Sequence, residues 1–208
     1  ERISTRLVVS IDELREANKL LSEYGITEKE IVLCIHPGCS EPQSVRQWIA
    51  SRYSQLADQL IEEYGARVVF TGIHHDHKEI NSIQLAMKYP SVSLAGKTSL
   101  RTFMAVLKRS RVVIGSDTGA LHIAQALQTP IVMLMGYTGP DDTGPFDPTG
   151  HSRFVKVELP CSPCIHREPK PAQWEICEPR RPVLCMDKLD VATVYNAARE
   201  VIGKIPAP

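Results

Sequence analysis

The residues with the clearest capacity for chemistry are Gly115-Ser-Asp-Thr-Gly119, which interrupt an apolar run (Val112, Val113, Ile114) and lead into Ala120-Leu-His122. Leu121, Ala124 and Leu127 restart the apolar pattern at helical spacing, so a tight polar turn joins the carboxyl end of a strand to the amino end of a helix. In open α/β sheets ligands bind at such turns. The first backbone N–H groups of that helix, from Gly119 to Leu121, are expected to be unpaired at the positive end of the helix dipole, where they can receive a phosphate. Thr118 adds a hydroxyl and Gly119 permits close approach. His122, in the first helical turn, suits an anion when charged and donates one hydrogen bond when neutral. The alternative for Asp117 and Thr118 is an ordinary helix cap and its neighbour.

Four other groups carry chemistry. His36-Pro-Gly-Cys-Ser40 follows a strand and leads through Ser44 to Arg46, whose guanidinium could clamp a phosphate while Ser40 and Ser44 hydrogen-bond it. A solvated loop is the competing reading. Gly96-Lys97-Thr98-Ser99 imitates the end of a phosphate-binding P-loop, but the required earlier glycine is Ser91, which excludes that motif. A loop there could still touch a base or a sugar. Cys161, Cys164, Cys177 and Cys185 have spacings suited to a structural zinc site of four thiolates, with His166 as a substitute ligand; unpaired packed thiols are the alternative. Cys34 and Cys39 are too isolated for either role. His74, His75 and His77 cluster in one turn, which reads as solvated sooner than as a metal site. A single Asp117-Thr-Gly-Ala120 followed by a helix does not make an aspartic protease, which needs two facing copies.

The elements that must position these groups alternate in type. A capping box, Ser10-Ile-Asp-Glu13, predicts a helix over about 12–24 ending at Gly25. Strands are predicted over 31–35, 67–71, 92–94, 112–114 and 131–135. Helices are predicted over about 48–64 and 78–88, after the Ser99 cap, after Gly119, and after Asp190. Strands alternating with helices imply a doubly wound parallel sheet in one α/β domain. Residues 1–30 read as a linker and first helix, 31–136 as the core, and 188–208 as a C-terminal helix. Residues 137–187 hold most of the 15 prolines and four of the six cysteines, and read as long loops with one strand at 154–157.

Composition narrows the partners. Lys+Arg and Asp+Glu are both 24 and 43% of residues are hydrophobic, which suffices for a core and does not favour nucleic acid or an anionic membrane. No apolar run approaches the roughly 20 residues needed to span a bilayer. No signal peptide is recognisable, and without an initiator methionine residue 1 is expected not to be the native start.

In order, His36-Pro-Gly-Cys-Ser40 with a cation two places before Trp48, Val68-Val-Phe-Thr-Gly72, Leu94-Ala-Gly-Lys-Thr-Ser-Leu100, Gly115-Ser-Asp-Thr-Gly-Ala-Leu-His-Ile-Ala124 and Pro130-Ile-Val-Met-Leu-Met-Gly136 resemble the carboxy-terminal half of glycosyltransferase family 9, the bacterial heptosyltransferases of lipopolysaccharide core synthesis. The Cys161-Ser-Pro-Cys164 and Cys185-Met186 pieces resemble a subset of it. The resemblance implies the second Rossmann-like domain of a GT-B fold, which binds an ADP-sugar donor, usually ADP-heptose. It implies that Asp117, Thr118, Gly119 and Ala120 hold the diphosphate and sugar, with His122 close by. Arg46 stands where the family usually has a lysine that neutralises the leaving diphosphate. Lys97 and Thr98 would lie against the base, beyond the strand closed by Gly72, and Glu79 would bind the ribose, with Asp76 competing. The family's general base and acceptor site belong to an amino-terminal domain that this sequence lacks, so the chain is expected to bind donor without transferring sugar alone. The implied location is the cytoplasm, peripheral at the inner membrane, and no cofactor is implied beyond the zinc that the cysteines could hold. The rival expectation is a non-catalytic nucleotide-binding or zinc-stabilised interaction domain.

Overall fold

The computed structural model describes residues 6–38, 43–144, 150–164 and 183–205. Six strands form one sheet: β1 (Val32–His36), β2 (Arg67–Phe70), β3 (Val92–Ser93), β4 (Val112–Ser116), β5 (Ile131–Leu134) and β6 (Arg153–Val155). Their spatial order is β3-β2-β1-β4-β5-β6 and every pairing is parallel. The chain therefore starts in the middle, builds outward to one edge, then returns to β4 and builds toward the other. That reversal leaves a crevice between the carboxyl ends of β1 and β4, where doubly wound sheets bind ligands.

Helices cover both faces because the strands are apolar on both sides. Leu33, Ile35, Val68, Phe70, Val112, Ile114, Val132 and Leu134 point into one core, shared with α2 (Ala50–Tyr64) and the C-terminal helix, here α8 (Val191–Lys204). Their neighbours Cys34, Val113, Ile131 and Met133 point into the opposite core, under α4 (Leu100–Arg109) and α5 (Gly119–Ala126). Val32 and Val69 join a third cluster with Ala17 and Leu21 of α1 (Ile11–Glu23). This period of two, with both faces buried, marks a strand inside a parallel sheet. α3 (His77–Ala86) completes the layer beside α2.

The helix starts follow the expected chemistry. Ser10 and Glu13 form the reciprocal capping box, and the Ser99 and Asp190 side chains accept from Thr102 N and Thr193 N. Three differences from the expectations are physical. β4 runs on through Gly115 and Ser116; Gly115 sits so close to His36 that a Cβ would lie 2.5 Å from the His36 carbonyl, so this glycine permits strand contact and does not end it. Trp48 and Ile49 precede α2 and do not belong to it. Two short helices, α6 (Pro140–Thr143) and α7 (Leu184–Lys188), occur where only loops and one strand are expected.

The exit from β1 is fixed from below. Trp48, 1% exposed, donates its Nε1–H to the Leu189 carbonyl at 2.8 Å and packs edge-on to Tyr53. Arg52 donates to the carbonyls of Met186 and Leu189, tying the α7–α8 connection to the start of α2. Removing a buried indole costs about 3–5 kcal/mol. Trp48→Ala should therefore lower unfolding free energy by about that amount in denaturant titration; a loss below about 1 kcal/mol would show that the α2–α8 contact does not depend on this ring.

Candidate functional site

Five strand ends and the turns after them build the site. Arg46 ends the 3-10 turn Gln43–Arg46 that follows β1, and Ser44 lies in the same turn. Its Nη1 donates to the Asp117 carbonyl at 2.9 Å and lies 3.9 Å from Asp117 Oδ2, while its guanidinium stands 5.9 Å from the centre of the Tyr137 ring. The guanidinium is thus held by groups beyond β4 and β5. Its Nε is buried and has no hydrogen-bond partner among the described residues.

Asp117 is the best connected member, at 1% exposure. Oδ1 meets His122 Nε2 at 2.8 Å, and Oδ2 accepts the hydroxyls of Thr138 at 2.5 Å and Thr143 at 2.7 Å. Burial raises the carboxyl pKa, but the bonds from His122, Thr138 and Thr143 and the charge of Arg46 outweigh it and hold the group at about 2. The carboxylate is ionised and engaged on both oxygens.

Thr118 precedes α5 in an extended conformation without capping it. Its hydroxyl is buried and has no hydrogen-bond partner among the described residues, as is true of Ser116. The N–H groups of Gly119 and Ala120 meet no acceptor among the described residues, and a Cβ on Gly119 would enter open space. The expectation that Leu121 N–H is also unpaired is corrected: it donates to the Thr118 carbonyl at 3.1 Å, a one-turn closure that satisfies the third helical donor.

Beyond β2 and β3 lies a pocket of about 430 Å³ lined by apolar Ile73, Leu100 and Phe103 and polar His36, Thr98 and Ser99. Gly72 and Gly96 also line it. Gly96 has φ +65°, a left-handed conformation that favours glycine, and a Cβ there would press on His74 Cα at 3.2 Å. A Cβ on Gly72 would lie 2.5 Å from the Asp76 carboxylate, which accepts from Ile73 N–H at 2.7 Å. Glu79 is half-buried; burial raises its pKa, opposed by a hydrogen bond with Gln47 and reinforced by Asp76. Of the two acids weighed for one role, Asp76 is occupied in capping its own turn and Glu79 reaches the β1 loop.

The expected residues divide as follows. Arg46, Asp117, Thr118, Gly119, Ala120 and His122 come together around the end of β4, and Gly72 and Thr98 line the adjacent pocket. Lys97 does not: its ammonium lies 3.1 Å from the Tyr24 hydroxyl and 5.1 Å from that ring's centre, on the side of α1. Ser40, Cys39, His166 and Cys177 lie outside the described residues. Among the described residues Cys161, Cys164 and Cys185 form no disulfide with one another, and no three His, Cys, Asp or Glu side chains group closely enough to hold a metal. Of the expected set of four thiols, Cys177 lies outside the described residues, Cys161 and Cys164 flank Ser162-Pro163, and Cys185 packs against Gly136. The histidines at 74, 75 and 77 likewise form no such group; His74 and His77 stack edge to face at 4.9 Å.

Thr138, Thr143, Tyr137 and His36 are site residues that sequence reasoning missed. Their one signal is position: Tyr137 and Thr138 lie shortly after β5, Thr143 ends α6, and His36 ends β1. His36 Nδ1 lies 3.1 Å from the Thr71 hydroxyl and its ring packs against Phe103. Burial lowers its pKa to about 4, opposed by Asp76. A histidine neutral in the fold and ordinary when unfolded contributes its full stability above about pH 6.5 and loses it as pH falls toward 4. His36→Gln should therefore flatten the stability loss between pH 7 and 5, by about 2 kcal/mol in denaturant titrations. An equal loss in both proteins would place the acid sensitivity elsewhere.

Comparisons with known proteins agree with this architecture. The model of glycosyltransferase family 9 (heptosyltransferase) matches residues 3–174. Lipopolysaccharide heptosyltransferase 2 of Salmonella typhimurium is 31% identical over 134 residues, which are 62% of this chain and 38% of that protein. The chain thus matches well under half the length of that relative. Two solved structures superpose with a TM-score of 0.75 over 96% of this chain and 54% of theirs: a family 9 glycosyltransferase from Veillonella parvula, 19% identical, and the Escherichia coli ADP-heptose lipopolysaccharide heptosyltransferase II, 21% identical. At that identity they establish the fold, half of a GT-B glycosyltransferase. With the family model covering most of its length, this chain belongs to glycosyltransferase family 9, the heptosyltransferases.

Proposed function

We propose that these residues bind the nucleotide-sugar donor of an inverting glycosyltransferase, an ADP-sugar carrying a heptose or a related sugar, for transfer to a lipopolysaccharide core acceptor. The observation that carries the reading is the meeting, at the topological switch point, of Arg46 with the N–H groups of Gly119 and Ala120 and the Thr118 hydroxyl, none of which has a partner among the described residues. A cation and the positive end of a helix dipole facing one crevice favour a diphosphate. The neighbouring pocket has apolar walls and a few polar groups, which suits a flat base; Thr98 and the glycines at 72 and 96 would border it, and Glu79 would take the ribose. Ser40 would join Arg46 on the diphosphate, and His122 with Asp117 would border the sugar. Support for ADP comes from the name of the Escherichia coli neighbour, an ADP-heptose enzyme.

In such a transfer a base takes the proton of an acceptor hydroxyl, whose oxygen bonds to the anomeric carbon as the bond to the diphosphate breaks. Negative charge grows on the departing diphosphate, where Arg46 and the α5 amino end would stabilise it. Asp117 is engaged on both oxygens and Asp76 caps its own turn, so neither is offered as that base. Taken alone, the unit is proposed to hold donor without transferring it. No helix among the described residues is long and apolar enough to cross a membrane, and the reaction is proposed for the cytoplasm, peripheral to the inner membrane.

Calorimetric titration of the chain should show binding of ADP or an ADP-sugar in preference to UDP and GDP sugars. No heat with any of the three at millimolar concentration would refute donor binding. Arg46→Ala should weaken ADP by about 1.5–3 kcal/mol, the value of a hydrogen bond to a charged group, and leave adenosine unchanged. Equal losses for both ligands would mean that the substitution disturbed the fold and not a phosphate contact.

A further inference from the structure

The segment that follows β5 returns over the end of β4, and it is tied on both sides. On its outer side Ser162 donates its hydroxyl to the Gly136 carbonyl at 2.6 Å, and Cys164 N–H donates to the Tyr137 carbonyl at 3.1 Å. On its inner side the hydroxyls of Thr138 and Thr143 converge on the same oxygen of Asp117. Between these anchors stands Tyr137, whose ring faces the Arg46 guanidinium. Arg46 in turn donates to the main-chain carbonyl of Asp117, so the residue that receives the two threonines also holds the cation.

Thr138 is 1% exposed, so its hydroxyl has no water to fall back on, and Asp117 is equally buried. Short bonds from hydroxyl to carboxylate are the strong kind, and a buried carboxylate that loses one is left under-solvated. The geometry therefore couples two loops that are distant in sequence: displacing residues 137–143 removes the tyrosine from Arg46, and freeing Asp117 removes the carbonyl that aims it.

We propose that Thr138 and Thr143 are positioning residues, which act through Asp117 and Tyr137 to keep the Arg46 guanidinium aimed at the ligand's diphosphate. The proposal rests on the donor-binding reading above. It assigns the two hydroxyls no contact with the ligand; their effect reaches the phosphates through Arg46 alone.

The test uses the whole chain with Thr138→Val and Thr143→Val, singly and together, beside Thr138→Ser and Thr143→Ser, which keep the hydroxyl. Hydrogen exchange of the free proteins reads the hold on residues 137–144, and calorimetry with ADP and with adenosine reads its consequence. The double valine variant should exchange faster in that segment and bind ADP about tenfold or more weakly, with adenosine affinity unchanged. The serine variants should match the unaltered chain. In an Arg46→Ala background the valines should add about twofold or less, because the route to phosphate is already gone. Equal losses for ADP and adenosine, full losses in the Arg46→Ala background, serine variants as weak as valine ones, or unchanged exchange would each overturn the proposal. If the unaltered chain binds no ADP, the donor reading fails and this role fails with it; ADP binding that the valines leave intact overturns this proposal alone.

Discussion

Removing a carboxylate from water costs several kcal/mol unless other groups replace its hydration. At the end of β4 that replacement is nearly complete: one imidazole, two hydroxyls and a nearby guanidinium surround Asp117. Those partners come from the turn after β1, from α5 and from the segment after β5. The ionised carboxyl therefore acts as a knot among three pieces of chain that share no regular secondary structure with one another. The sheet supplies the frame, and this one charge fixes how the loops sit on its rim.

The frame itself follows from simple demands. Central strands buried on both faces need helices on both sides, and parallel pairing needs crossovers of one hand. Because β1 and β4 are neighbours while their crossovers leave in opposite directions, the turns after them part and open a crevice. Arg46 stands on one lip and the α5 amino end on the other. Nothing about that crevice has to be carved by special residues; the order of the strands makes it, and side chains only decide what enters.

Much of the frame was legible because its determinants are local. The capping box at Ser10, the caps at Ser99 and Asp190, and the left-handed Gly65 that ends α2 are each written within a few neighbouring residues. The end of β4 was misread because Gly115, normally a breaker, serves a contact with His36 that lies far back in the chain. The helices α6 and α7, of four and five residues, are too short to show a period. At the site, the turn and the arginine could be recognised by type, whereas their couplings could not. Asp117 finds Thr138 and Thr143 at separations of 21 and 26 residues, and Lys97 finds Tyr24 at 73. Such partners are chosen by the tertiary fold and leave no mark in a window of sequence.

The pocket and the arginine lie on different parts of the sheet's rim, and their characters are opposite. Ile73, Leu100 and Phe103 wall the region beyond β2 and β3, while cation and helix dipole face the gap beside β4. With Lys97 drawn aside to Tyr24, the described pocket lining carries no lysine or arginine. From β3 to β4 is three strand spacings, about 14 Å. On the donor-binding proposal the rim would act as a polarised gauge, admitting a molecule flat and weakly charged at one end, anionic at the other, and of matching reach. Reversed, the same molecule would press its anion against hydrocarbon and leave the guanidinium unanswered. For the proposed donor, directionality of binding would thus be built into the strand order, before any single contact selects among sugars.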